Sequence, residues 1–112
     1  DCQGTILGWG GARSRFEQEL DNLSKIRAAM VVVEGTLQTV LSTTNDHRTR
    51  EHKVIAKQLL RSIIALQQDY RVPWMFCESR RMAEVVTFRF LERYWKKRTE
   101  HQRRIDAMLA NL

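Results

Sequence analysis

Apolar residues recur at steps of three or four along the first third of the chain, at Phe16, Leu20, Leu23, Ile26, Met30, Val33, Leu37 and Leu41. That spacing lines one face of a helix. It predicts a first helix over residues 14–41, opened by Ser14-Arg15-Phe16-Glu17, which fits a capping box. The β-branched run Val31-Val32-Val33 and the following Gly35 both lower helix propensity. A break near Gly35 is therefore allowed, and a short strand is the alternative, although no second strand is evident to pair with it. Turn and cap formers fill residues 42–46. A second apolar face, Ile55, Leu59, Ile63, Leu66 and Tyr70, widened by Leu60 and Ile64, predicts a second helix over residues 46–70. Val72-Pro73 ends it, because the residue before a proline is pushed out of the helical region.

The last element opens at Pro73, which suits a first helical position, or near Ser79. Nothing breaks it before Leu112. Phe88, Phe90, Leu91, Tyr94 and Trp95 share one broad side and are expected to enter the core, which then reaches to about Trp95. The apolar side is interrupted over residues 96–104 and returns at Ile105, Met108, Leu109 and Leu112, as a separate contact face.

These elements predict an all-α fold. It is a small antiparallel bundle of three helices, or four if the first breaks near Gly35, with a long basic C-terminal helix. Residues 1–12 read as a flexible lead-in, with Gly4, Gly8, Gly10 and Gly11 around Trp9, and residues 13–112 as a single helical domain. The first helix would be roughly 40 Å long at 1.5 Å per residue. Helices of that length in 112 residues favour an elongated bundle or a homodimer that completes the core.

Charge sharpens the picture. The formal net charge is +6, and residues 80–104 alone hold nine basic residues against Glu84, Glu92 and Glu100. The rest of the chain is neutral, so the whole excess lies on the last helix. Arg89, Arg93, Lys96, Lys97 and Arg104 fall in one sector, away from Leu91 and Tyr94, with Arg103 close by. Such a stripe is an electrostatic footprint for a polyanion or an acidic protein surface. It is equally what a solvated helix face looks like, since Glu100 projects from the same sector and Glu92 can pair with Lys96.

Candidate chemistry is sparse. Gly8-Trp9-Gly10-Gly11 lacks the Lys-Ser/Thr of a phosphate loop. His47, His52 and His101 have no metal-ligand spacing, and Glu51-His52 has no second histidine at the zinc-protease position. No nucleophile or paired-carboxylate signature is present. Neither catalysis nor a cofactor or metal is expected. Two cysteines without short spacing, Cys2 and Cys77, read as free thiols of a reducing compartment. No apolar run approaches the ~20 residues of a bilayer span.

The expected function is accordingly a non-catalytic interaction or assembly module. Arg89, Arg93, Lys96, Lys97, Arg103 and Arg104 would meet an acidic protein surface or another subunit, and Ile105, Met108, Leu109 and Leu112 would make an apolar end contact. A nucleic-acid-binding protein using the same basic stripe is the alternative. Peripheral attachment to a membrane surface comes third.

Overall fold

The computed structural model describes residues 2–42 and 50–112. The turn cluster over residues 43–46, and His47 with it, lies outside them. The described chain runs α1 (Cys2–Leu7), a 3₁₀ turn (Trp9–Gly11), α2 (Ala12–Ser24), β1 (Val31–Glu34), α3 (Leu37–Leu41), α4 (Arg50–Tyr70), β2 (Trp74–Cys77) and α5 (Arg80–Ala110). It is mostly helical, as expected. It is not an all-α antiparallel bundle, because β1 and β2 form a two-stranded parallel sheet with Val31 opposite Trp74 and Glu34 opposite Cys77.

The N-terminal segment read as a flexible lead-in is helical over Cys2–Leu7 and buries Ile6. Gly8 ends this helix at φ 86°, and a Cβ there would stand 3.1 Å from Arg13 Cβ, so both backbone and space require glycine. Arg13 Nη1 donates to the Ile6 carbonyl at 2.7 Å, which satisfies a C-terminal carbonyl of α1. Helix α2 therefore begins at Ala12, before the capping box expected at Ser14. Its phase buries Leu20 and half-buries Phe16 and Leu23.

The predicted helix over 14–41 stops at Ser24, whose hydroxyl donates to the Asp21 carbonyl at 2.6 Å. Ile26, the next residue in phase, is exposed. The β-branched valines then take the extended form they favour, because Trp74–Cys77 supplies the partner strand that local periodicity did not reveal. Gly35 follows at φ 155° and donates its N–H to the Cys77 carbonyl at 2.6 Å. Thr36 caps α3 by accepting from Thr39 N at 3.0 Å. Gln3 Nε2 donates to the carbonyls of Val40 and Ser42 at 2.7 and 3.0 Å, which ties α1 to the end of α3.

Helix α4 follows its predicted face closely. Leu59, Ile63 and Leu66 are buried, while Leu60 and Ile64, expected to widen that face, are exposed. The helix closes with Arg71 in the left-handed region at φ 57° and its N–H on the Gln67 carbonyl at 3.0 Å. Val72 is buried and Pro73 leads into β2. Residues 74–77 are thus strand, and the last helix takes the later of its two possible starts, with Ser79 as cap.

Side chains alternate across the sheet. Val31, Val33, Trp74 and Phe76 face the helices α1–α4. One buried cluster gathers Ile6, Val40, Leu59 and Ile63, and a second gathers Leu20, Leu66 and Val72. Trp74 packs against both. It meets Phe16 edge-on at 5.6 Å and Phe76 at 6.2 Å between ring centroids. Cys2 is half-buried and Cys77 buried, and both are free thiols. No helix among the described residues is long and apolar enough to cross a membrane.

Because Leu66 is fully enclosed in the second cluster, Leu66→Ala is expected to lower unfolding stability by about 2–5 kcal/mol. A urea titration followed by circular dichroism measures it, and a change below about 0.5 kcal/mol would place the core elsewhere.

Candidate docking surface on the C-terminal helix

Helix α5 starts where Ser79 Oγ accepts from Met82 N at 3.1 Å. Its first turns meet β1 and β2, and Arg80 Nε lies 3.4 Å from Glu34 Oε2. Beyond that contact the helix leaves the body. Thirty-one residues span about 46 Å at 1.5 Å each, which is most of the 70 Å long axis of the molecule. The radius of gyration, 18.6 Å, exceeds the roughly 13 Å of a compact chain of this size.

No residue of α5 is buried. The expectation that Phe88, Leu91 and Trp95 enter the core is therefore corrected: they are 61%, 58% and 68% exposed. The reason is the strand at Val31–Glu34. With residues 14–41 divided into α2, β1 and α3, no long first helix remains to lie along α5. At 100° per residue, Phe88, Leu91 and Trp95 fall within about 60° of one another. Ala83, Val86 and Phe90, which are half-buried, lie on a different side.

At 100° per residue Arg81 and Arg98 flank this stripe, whereas Arg89, Arg93, Lys96, Lys97 and Arg104 occupy a separate sector on the other side of the helix. Arg89 Nη1 and Lys96 Nζ share Glu92 Oε1 at 3.1 and 3.6 Å, and Arg104 Nη2 lies 3.1 Å from Glu100 Oε1. Arg98 Nη1 donates to Tyr94 Oη at 3.1 Å. The Arg89 guanidinium stands 5.9 Å from the Phe88 ring centroid, within cation–π range. Among the described residues, Arg81, Arg93, Lys97, Arg98 and Arg103 have no carboxylate within ion-pair distance. Trp95, Lys96, Thr99, Glu100 and Arg103 frame a shallow depression on the helix surface.

The hydrogen bond from Arg89, with the Lys96 charge beside it, holds the Glu92 carboxyl below its ordinary range.

All six basic residues singled out from the sequence, Arg89, Arg93, Lys96, Lys97, Arg103 and Arg104, are exposed on α5. Ile105 is half-buried, Met108 and Leu109 are exposed on the last turns, and Leu112 lies beyond the helix end. Phe88, Leu91 and Trp95 are the surface residues that sequence reasoning missed. Their periodicity reports an apolar face correctly, but periodicity does not say whether another element covers it.

No known protein family, curated protein or solved structure matches the chain.

Two outcomes follow. Trp95→Ala is expected to change unfolding stability by no more than about 0.5 kcal/mol, whereas a loss of several kcal/mol in a denaturant titration would put this ring in the core after all. A carboxyl-detected NMR titration should give Glu92 a midpoint below the usual glutamate value, restored upward by Arg89→Ala. A lowered folded value means the stabilisation is in place above the ordinary carboxylate range and is lost as pH falls through the lowered midpoint.

Proposed function

We propose that this chain is a non-catalytic interaction module that docks an acidic partner protein through α5. The observation that carries the reading is the stripe Phe88, Leu91 and Trp95, which stands in solvent on a helix projecting from the body. Large apolar side chains grouped on one exposed face mark contact sites. Tryptophan and arginine are the residue types that most often dominate such contacts.

Charge complementarity selects the partner. The α5 cations without a carboxylate within ion-pair distance among the described residues, Arg81, Arg93, Lys97, Arg98 and Arg103, favour an acidic surface and disfavour a second α5 of the same sign. Arg89, Lys96 and Arg104 add long-range attraction although each has a local carboxylate. Met108, Leu109 and Leu112 extend the apolar contact at the free end of the helix.

A nucleic-acid partner would use the same cations without needing the stripe, so one paired experiment separates the two. Fluorescence anisotropy is followed with a labelled acidic amphipathic helical peptide and with labelled single- and double-stranded oligonucleotides, each from low to physiological salt. The proposal predicts that Trp95→Ala or Leu91→Ala weakens peptide binding at least tenfold. It also predicts that oligonucleotide binding disappears before physiological salt. Oligonucleotide binding that survives physiological salt, ignores Trp95→Ala and falls evenly when Lys96 and Lys97 are neutralised would replace this reading with the nucleic-acid one.

A further inference from the structure

The two edges of the β1–β2 sheet are built differently. Val31 N donates to the Pro73 carbonyl at 2.9 Å and Gly35 N to the Cys77 carbonyl at 2.6 Å. In a parallel ladder, alternate residues of a strand turn both backbone groups to the same neighbour. Val31, Val33 and Gly35 therefore address β2, and the N–H and C=O of Val32 and Glu34 point outward. On β2 the outward N–H of Trp74 is taken up, since it donates to Gln67 Oε1 at 3.3 Å. No such bond engages the outward N–H of Val32 or Glu34 among the described residues.

A cleft of about 360 Å³ runs along that open edge. Consecutive residues Val31, Val32, Val33 and Glu34 line it, which both pleat faces of a strand can do only from its edge. Ile6, Phe16 and Trp74 supply the rest of the apolar wall. The Cys2 thiol in the same wall is half-buried, and burial pushes its pKa up, so it stays neutral. The buried indole N–H of Trp74 has no acceptor among the described residues.

We infer that the outer edge of β1 accepts an added β-strand from another polypeptide, an extended uncharged segment rich in β-branched residues, seated in the cleft between α1, α2 and β1. The outward groups of Val32 and Glu34 would pair with its backbone. The apolar wall would receive alternate side chains of the Val or Ile size, and among the described residues the ionisable side chains lining the slot are the Cys2 thiol and Glu34, which already has Arg80 3.4 Å away. This site is separate from the α5 surface and stands or falls independently of it.

The test is residue-resolved amide hydrogen exchange by NMR on the full chain, with the synthetic peptide acetyl-Lys-Thr-Val-Ile-Val-Thr-Lys-amide as probe. Terminal lysines avoid nonspecific attraction to the basic helix. Without peptide, the Val31, Val33 and Gly35 amides are expected to exchange slowly and those of Val32 and Glu34 fast. With peptide, Val32 and Glu34 become at least tenfold slower, and a peptide with proline in place of isoleucine does nothing. Val32→Pro removes an outward N–H while leaving the inner ladder in place, and is expected to abolish the protection. Should that variant fail to fold, the two peptides on the unaltered chain decide the matter. Unchanged exchange at Val32 and Glu34 up to millimolar peptide overturns the inference. So does protection already present without peptide and rising with protein concentration, which would mean that the edge pairs with a second copy of this chain.

Discussion

The parallel pairing of Val31–Glu34 with Trp74–Cys77 governs everything else in this molecule. Parallel strands cannot be joined by a tight turn, so the chain between them must cross over. Here α3 and α4 fill that crossover, and their buried residues Val40, Leu59, Ile63 and Leu66 are the ones that cover the sheet. Trp74 is where the two buried clusters meet, in contact with Phe16 of α2 and Phe76 of its own strand. Placing a large ring there joins α1 and α3 on one side to α2 on the other through one strand residue.

The same pairing determines what α5 can do. The buried face of α4, with Leu59, Ile63 and Leu66, packs towards α1, α2 and the sheet and is not offered to the distal turns of the last helix. The Ser79 cap and the Arg80–Glu34 ion pair anchor its base. Beyond that base it carries its charge and its aromatic stripe outward. A face with Phe88, Leu91 and Trp95 more than half exposed costs solvation free energy in the isolated chain. Binding a partner recovers that free energy, and this is the physical content of the proposed docking role.

Much of the helical part was legible in the sequence, and the reasons are specific. Helix α4 has a clean 3.6-residue period and a proline stop, and Leu59, Ile63 and Leu66 are buried as that period requires. The concentration of charge over residues 80–104 follows from counting alone. The first helix was misread because Ile26, Met30, Val33 and Leu37 continue a helical spacing through a segment that is partly strand. Three valines in a row do signal a strand. What decides between helix and strand is a partner far along the chain, and Trp74-Met75-Phe76-Cys77 reads equally well as the apolar start of a helix. Once β1 was missed, the aromatics of α5 had a helix to pack on that does not exist. The basic residues of α5 are exposed, and so are Phe88, Leu91 and Trp95, which the period alone assigns to a core.

The most direct test of this account is the pattern of backbone nuclear Overhauser effects for residues 25–41 and 74–77 in the isotopically labelled chain. The account predicts strong sequential Hα–HN contacts through Val31–Glu34, with inter-strand contacts linking Val32 to Met75 and Val33 to Phe76. An unbroken series of helical i,i+3 contacts from Ser24 to Leu41, with none to residues 74–77, would contradict the sheet and with it the unpartnered state of α5.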